Sequence, residues 1–354
     1  MEAPSEPAIE SDKPAPSGAD ATLEASLRRG RWRGHALRIA GALALLAALA
    51  WTFRGLDVGS VWRGLTGARR GWLVVAALLN LGAIALQAGR WMALLRPLSR
   101  VPTVGSAFKA MLVGFAVSTV VPARAGEVAR VQWMARRTGL PRASIAGSII
   151  LDYLVNAAGL LGGLVALPFL VAVPTWLRGG IILTLALFGL ATLLVMAARP
   201  TGSAAKASEP KGWIDRVLDA LSRARHGLTA TSDPKAIGIS LVSSLASWGV
   251  ELCVIALTIK AMGIRAPLAA AFLALLAVNL ALAFPFAPPA NLGTLEVGAT
   301  LALMTFGVPK AQALAFGIVY HLIQIVPVGL LGVFFAGRAE PPAGRSTVGS
   351  SAEP

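Results

Sequence analysis

Ionisable residues stand at two places where the sequence interrupts a long apolar run. Residues 122–130 read PARAGEVAR and residues 285–296 read PFAPPANLGTLE, so each interruption combines proline, glycine and a carboxylate. Non-helical backbone occurs at membrane depth only where it is buried in protein or lines a wet cavity. Charged residues there usually serve a function, and matching breaks in two halves of a chain are typical of a transport site.

The first interruption has the side chains to bind phosphate. Arg124 and Arg130 flank Glu127, and the planar donor fork of arginine matches phosphate oxygens. A helix that begins near Gly126 would add free N–H groups and the positive end of its dipole. We therefore predict that the two arginines hold the phosphate of an anionic lipid head group. An internal ion pair between Glu127 and either arginine is the alternative, and the two interpretations are compatible.

Two polar pairs follow the interruptions at matching distances. The pair Asp152-Tyr153 ends twelve residues after a proline, and so does the pair Tyr320-His321. If each helix begins near its proline, a rise of about 1.5 Å per residue places both pairs near the middle of the bilayer. We expect the fold to bring the two pairs close together.

Each titratable residue beyond the arginines has a functional and a structural interpretation. Asp152 lies within an apolar run, so it either couples a proton or cation or forms an ion pair with Arg124 or Arg130. His321 is either a proton switch near neutral pH or a histidine bonded to a neighbouring helix. Glu296 either lines the lipid path or is a helix-start carboxylate that the helix dipole favours.

The composition is that of a polytopic membrane protein. Of 354 residues, 56% are hydrophobic and only 14% are charged, which excludes an ordinary soluble enzyme. The net charge of +15 comes mostly from basic residues between apolar runs, so it indicates positive-inside topology and anionic lipid rather than nucleic acid. The single cysteine and the three dispersed histidines form no metal-ligand spacing, and no catalytic motif is present. We therefore predict no cofactor and no enzymatic activity.

The apolar runs predict the membrane segments. A full helical crossing needs about 20 residues. The runs lie at about 36–53, 72–95, 105–121, 145–170, 179–198, 236–260, 266–286, 294–307 and 310–336. We interpret 105–137 and 266–307 as re-entrant helical hairpins, since their parts are short or marginal for crossing. The prediction is an all-α polytopic membrane protein with about six full spans and two re-entrant hairpins, built from eight to nine hydrophobic segments.

An internal repeat organises the predicted membrane domain, residues 36–336. Repeat one is about 72–170 and repeat two is about 236–336. Three crossings separate the starts of the repeats, so the second copy would be inverted, as in many transporters. The site would then lie at the interface between the two copies.

Arginine clusters predict the orientation in a bacterial-type inner membrane. The disordered basic tail 1–35, the amphipathic loop 199–235 and the disordered tail 337–354 are predicted to be cytoplasmic, so both termini face the cytoplasm. The segment 54–71 then lies outside although it is rich in arginine. Arg90, near the end of its apolar run, is expected to snorkel to the cytoplasmic surface.

These residues together resemble a known family. Residues 122–130, the later prolines with Gly293 and Glu296, the Gly307-Val-Pro segment and the final helix are similar to the flippase-like, integral-membrane part of lysylphosphatidylglycerol synthases. The resemblance covers about residues 40–336. It implies handling or flipping of a phospholipid or a polyprenyl-linked lipid by a stand-alone member that lacks the cytoplasmic synthase domain.

The chain departs from this family pattern at mid-membrane. Many members carry Glu-Arg where this chain has Asp152-Tyr153, an arginine where it has His321, and Gly-Gly near Ala290. Two arginines are therefore absent from positions that bear on the choice of head group.

The leading interpretation is a lipid translocase for an anionic phospholipid or a polyprenyl-linked lipid. The predicted binding residues are Arg124, Glu127, Arg130, Asp152, Tyr153, Glu296, Tyr320 and His321. Nothing in the sequence indicates ATP use, so the energy source would be an ion or pH gradient, or there would be none. The first alternative is a non-transporting membrane partner or assembly subunit of envelope lipid- or glycolipid-modifying enzymes. A membrane-embedded transferase is the weakest alternative, because no nucleophile–base pair is visible.

Overall fold

The computed structural model describes residues 58–98, 102–120, 125–170, 233–282 and 289–338, with isolated helical positions between 179 and 190. The described chain is helical and contains no strand. Its helices are α1 Val58–Thr66, α2 Arg70–Leu95, α3 Val104–Val120, α4 Ala125–Thr138, α5 Arg142–Leu170, α6 Pro234–Ala261, α7 Leu268–Leu282, α8 Thr294–Met304 and α9 Lys310–Gly337, with a 3₁₀ turn at Pro289–Asn291 before α8.

Four of the described helices, α2, α5, α6 and α9, are long and apolar enough to cross a bilayer. The helices α3, α7 and α8 are apolar but shorter. The prediction of an all-α polytopic membrane protein is therefore confirmed. The predicted spans at 36–53 and 179–198 lie outside the continuously described residues, as do the 199–235 loop and both tails.

The long and short helices follow the same order twice. A long helix, two short helices and a long helix run from α2 to α5, and the same order runs from α6 to α9. The junctions between short and long helices also match, because Gly139 and Gly307 both adopt a positive φ, 70° and 77°. A left-handed residue of this kind commonly ends a helix, and glycine adopts it without steric cost. The boundaries assigned to the two repeats stay a prediction.

The two pairs of short helices, α3–α4 and α7–α8, approach the middle of the bundle from opposite ends. Helices α2 and α6 are antiparallel, since the Arg69 N–H donates to Ala261 O at 2.8 Å while Ser240 Oγ donates to Arg90 O at 3.2 Å. The pair α3–α4 follows the end of α2, whereas the pair α7–α8 follows the end of α6. Each pair returns to a long helix at the end where it started, which is the arrangement of two re-entrant hairpins in an inverted repeat.

Small residues let the helices of this bundle approach closely. A Cβ on Gly126 of α4 would lie 2.0 Å from Gly114 O and 2.1 Å from Ser118 Oγ of α3. A Cβ on Gly298 of α8 would lie 2.9 Å from Ala277 O of α7. Close backbone packing through glycine is a usual source of helix association in membranes, where lipid is as apolar as the side chains.

Helix α1 is a structural feature that the apolar runs did not predict. It lies within the arginine-rich segment 54–71 and packs on α9, where Gly64 would place a Cβ 3.1 Å from Ala315 Cβ. This contact puts α1 at the end of the bundle where α6 ends and α9 begins. The side of the membrane on which that end lies stays a prediction.

Candidate functional site

A polar cavity of about 310 Å³ lies between the two halves of the bundle. Its lining comes from α2, α3 and α5 of the first half and from α6, α7, α8, α9 and the 3₁₀ turn of the second. The carboxamides that line it belong to Asn80, Gln87, Asn156, Asn279, Asn291 and Gln324. The hydroxyl groups belong to Ser118, Thr119, Ser247 and Tyr320. A carboxyl group and an imidazole ring are contributed by Glu251 and His321.

The cavity lies near mid-depth in helices that are otherwise apolar. His321 is eleven residues after the start of α9, which corresponds to about 16 Å along the helix axis. The hydrocarbon core of a bilayer is about 30 Å thick. A concentration of polar groups at this depth is costly unless they bond to one another or to a ligand.

His321 is held between two oxygen atoms. Its Nδ1 lies 2.7 Å from Glu296 Oε1 and its Nε2 lies 2.9 Å from Ala290 O. The second carboxylate oxygen of Glu296 accepts a hydrogen bond from the Gly293 N–H at 2.8 Å. This hydrogen bond caps the start of α8. The backbone turn that brings Ala290 O to the ring has positive φ at Ala290, Asn291 and Gly293.

This geometry fixes the number of protons that His321 and Glu296 share. A carbonyl oxygen only accepts, so His321 Nε2 must carry a proton. The short contact between His321 Nδ1 and Glu296 Oε1 needs a second proton, which belongs to the ring or to the carboxyl group. The two side chains are therefore either an ion pair or a neutral pair, and their summed charge is zero in both cases.

A second carboxylate, that of Glu251, contacts Tyr320, the residue of α9 that precedes His321. Glu251 of α6 accepts hydrogen bonds from the Tyr320 hydroxyl and the Gln324 carboxamide, and Gln324 Nε2 also lies 2.8 Å from the Tyr320 hydroxyl. Tyr320 and Gln324 are four residues apart, so they lie on one face of α9. Adjacent residues of α9, Tyr320 and His321, thus bind carboxylates from two different helices.

Helix α9 is also held by α2 at this level. Pro327 lies inside α9 and has no N–H to donate to the carbonyl of Ile323. Asn80 Nδ2 donates to Ile323 O at 3.0 Å instead. A side chain of the first half therefore replaces a helical hydrogen bond of the second half beside the cavity.

A buried charge cluster lies in the first half. Arg90 donates from Nε to Asp152 Oδ1 at 2.7 Å, and Arg130 Nη2 lies 3.4 Å from Asp152 Oδ2. Arg130 also stacks on Trp91, with its guanidinium carbon 3.8 Å from the ring centre. The cluster meets the cavity at Asn156, whose Oδ1 accepts a hydrogen bond from Arg90 Nη1 at 2.5 Å.

Glu127 and Tyr153 lie at the outer edge of this cluster. The Tyr153 hydroxyl donates to Glu127 Oε1, and Glu127 Oε2 lies 3.8 Å from Arg130 Nη1. Tyr153 is 42% exposed. These two side chains line a shallow groove between α4 and α5 rather than the central cavity.

The sequence comparison agrees with this architecture. The family model described as the lysylphosphatidylglycerol synthase TM region matches residues 37–332. The chain belongs to this family. A search of curated proteins finds no match. Family membership and the apolar helices together identify a multi-pass membrane protein related to lipid handling.

The structure places the predicted site residues of this family member in three groups. Tyr320 and His321 line the cavity, and Glu296 lies behind His321. Arg130 and Asp152 belong to the buried charge cluster. Glu127 and Tyr153 lie at its outer edge, and Arg124 falls outside the described residues.

The two polar pairs have different surroundings. Asp152 is bonded to arginines of α2 and α4, whereas His321 is bonded to Glu296 of α8. Their link is indirect, because Asn156 and His321 line the same cavity. Of the two roles considered for Asp152, the ion pair is present in the structure. One of the partners of Asp152 is Arg130, which the sequence indicates as a possible partner.

The expectation that Arg90 snorkels to the surface is wrong. Arg90 is 2% exposed and bonds to Asp152 inside the bundle. The reason is electrostatic, because a carboxylate within an apolar helix needs a cation and Arg90 is within reach. Its position six residues before Arg96, with apolar residues on both sides, was the available signal.

Sequence reasoning also missed Asn80 and Gln324, which fix α9 from two sides. Gln324 follows Tyr320 by four residues, so a shared helical face was predictable. Pro327 was a second signal, because a proline inside a helix leaves the carbonyl four residues earlier, at Ile323, without its backbone donor. The identity of that donor depends on the packing of α2 against α9, which the sequence does not encode locally.

Proposed function

We propose that this protein moves lipids across the membrane by admitting the head group to the central cavity while the acyl chains remain in the bilayer. The observation that carries the proposal is the polar cavity at mid-depth, with walls from both halves and both hairpins. Transport sites of inverted-repeat proteins lie at this interface. The lining offers both donors and acceptors, as a site that binds a polar head group requires.

The charge cluster supports an anionic head group. Arg90 reaches the cavity wall through Asn156. Arg130 retains a buried Nε–H that has no acceptor among the described residues. Its guanidinium therefore has capacity for one more oxygen, and arginine suits phosphate oxygens through its fork of donors. We propose binding and translocation, with no bond-making step, for a phospholipid or polyprenyl-linked lipid in a bacterial-type inner membrane.

A bulky substitution in the cavity tests the proposal. Thr119 lines the cavity and bonds to the carbonyl four residues earlier, Phe115 O, at 2.9 Å. Thr305 makes the same type of bond to Leu301 O at 3.0 Å but is exposed and does not line the cavity. We expect Thr119→Trp to abolish lipid movement by filling the cavity, and Thr305→Trp to retain it.

The measurement is the movement of lipids that carry a fluorophore on the acyl chain, in liposomes that contain the purified protein. A membrane-impermeant reductant reports which leaflet holds the fluorophore. Phosphatidylglycerol and a neutral lipid with the same chains compare head groups. Equal rates for Thr119→Trp and the unmodified protein would contradict a route through the cavity. Absence of movement for every lipid would favour the assembly-subunit alternative.

A further inference from the structure

Glu251 differs from the other carboxylates of the described membrane helices in having no arginine or histidine partner. Asp152 is paired with Arg90 and Arg130, Glu296 is paired with His321, and Glu127 lies beside Arg130. In the described residues, Glu251 bonds only to a hydroxyl group and a carboxamide. An ionised carboxylate held by neutral donors within a membrane lacks the compensation that the others have.

The two oxygens of Glu251 have unequal surroundings. Tyr320 and Gln324 both donate to Oε1. No hydrogen bond to Oε2 is found among the described residues, and Glu251 is half-buried on the cavity wall. The residue lies ten positions before the end of α6 at Ala261, about 15 Å along the helix. Oε2 is therefore the oxygen available to a ligand at mid-membrane.

Among the described residues, the other side chains that line the cavity include no arginine and no lysine. From α2, α5 and α7 the polar lining consists of carboxamides, and from α3 it consists of hydroxyl groups. From α9 the titratable residues are Tyr320 and His321, and both ring nitrogens of His321 already face Glu296 and Ala290. The simplest species that neutralises Glu251 without another side chain is a proton.

Glu251 is also connected to a weak point of α9. Its two donors, Tyr320 and Gln324, lie just before Pro327, where the helix lacks the hydrogen bond to Ile323 O. Asn80 of α2 supplies the replacement. At this level α9 is held by side chains of α6 and α2 rather than by its own backbone alone. Loss of the charge on Glu251 weakens the hydrogen bonds that it accepts, so protonation changes how α9 is held.

We propose that Glu251 is a proton-binding site that couples the transmembrane proton gradient to the lipid movement proposed above. The proton is delivered by cavity water and binds Oε2, which converts the carboxylate to a neutral carboxylic acid. Its release to water on the other side restores the carboxylate. The coupling rests on the proposed function, whereas the proton site itself does not.

Infrared difference spectroscopy tests the site without any lipid assay. Full-length protein in lipid nanodiscs is compared at neutral and acidic pH, and the C=O stretching band of a protonated carboxyl group is recorded. We expect the acid-induced band to lose a component in Glu251→Gln and to retain it in Glu127→Gln, which removes a carboxylate that has an arginine nearby. A spectrum for Glu251→Gln identical to that of the unmodified protein would overturn the proposal.

A second variant keeps the test decisive if Glu251→Gln does not fold. Tyr320→Phe preserves the ring that stacks on Phe316 at a centroid distance of 5.9 Å. It removes one donor to the ionised carboxylate, and loss of such a donor favours the protonated form. The Glu251 band should then appear at less acidic pH. An unchanged band would show that the titrating group is not the carboxylate that Tyr320 contacts, which overturns the assignment.

A transport arm separates the proton site from the proposed function. In liposomes, a pH gradient should accelerate lipid movement by the unmodified protein but not by Glu251→Gln. Lipid movement that ignores the pH gradient would overturn the coupling and leave translocation standing. A Glu251 band without movement of any lipid would support the proton site and overturn translocation. Acceleration by a sodium gradient in place of a proton gradient would overturn the proton as the ligand.

Discussion

Asp152 joins two arginines from different helices inside the first half. Arg90 comes from α2 and Arg130 from α4, and all three residues are at most 4% exposed. Burial removes water from each charge, so the charges remain tolerable only while the carboxylate is present. The cluster thus fixes a hairpin helix, α4, to two crossing helices, α2 and α5.

Asp152→Asn should destabilise the protein strongly because it leaves two buried guanidinium groups without an anion. Removal of one partner from a buried ion pair typically costs about 3–5 kcal/mol. Glu127→Gln is the control, since Glu127 is one-third exposed and lies 3.8 Å from Arg130, and such pairs contribute at most about 1 kcal/mol. Thermal unfolding in detergent is the measurement. A melting temperature for Asp152→Asn equal to that of the control would contradict a structural role for the cluster.

Only some of the partners of the buried carboxylates could be predicted from the sequence. The need of Asp152 for a partner follows from its place in an apolar run, and Arg130 was among the partners considered. Arg90 was not, because an arginine five residues before the end of α2 at Leu95 can reach either water or a buried carboxylate. Tertiary packing decides between these outcomes. The same holds for Glu251, whose neutral partners become visible only when α6 and α9 are in contact.

At the scale of elements, glycine in α9 sets the distance between a hairpin helix and a crossing helix. A Cβ on Gly332 would lie 2.3 Å from Leu112 O and 2.7 Å from Ala116 Cβ of α3. Gly329, one turn earlier in α9, has no atom of a neighbouring helix within 4 Å of the corresponding position. The two glycines therefore differ in packing while they share one helix.

Gly332→Ala should force α3 away from α9 and destabilise the protein, whereas Gly329→Ala should not. Overpacking of a close contact costs about 1–3 kcal/mol, and alanine is favoured over glycine in an open helical position by about 1 kcal/mol. Unfolding temperatures of the two variants in one detergent give the comparison. Equal stability of both variants would mean that α3 and α9 are not in backbone contact at this point.

Long apolar runs and their Pro/Gly breaks were sufficient to predict the four described crossing helices and the short helices between them. The nine-residue helix α1 was not predicted, because its length is far below that of a membrane span and none of the apolar runs includes it. The close contacts of Gly126 and Gly332 were not predictable either. The chain contains 37 glycines, and a helical pattern alone does not indicate which of them face a neighbouring backbone.

At the scale of the whole molecule, the basic residues at the ends of the bundle indicate its orientation in the membrane. The end of α2, the start of α3 and the start of α6 share one shallow depression that includes Arg96, Val104 and Lys235. Helix α4 returns to this end and carries Arg136. The opposite end contains Arg69, whose N–H bonds to Ala261 O at the end of α6. The positive-inside rule predicts that the end with Arg96 and Arg136 is cytoplasmic.

Thiol labelling tests this arrangement and the inverted repeat together. The exposed Cys253 is first replaced by alanine, and single cysteines are introduced as Arg136→Cys, Lys235→Cys and Arg265→Cys, all at exposed positions. An impermeant reagent applied to intact cells should label only Arg265→Cys, and it should label the other two only after the membrane is opened. The reason is that α3–α4 enters from the end that holds the start of α6, while α7–α8 enters from the end where α6 stops. If Arg136→Cys and Arg265→Cys were labelled from the same side, both hairpins would enter from one face, and the cavity could not lie between inverted halves.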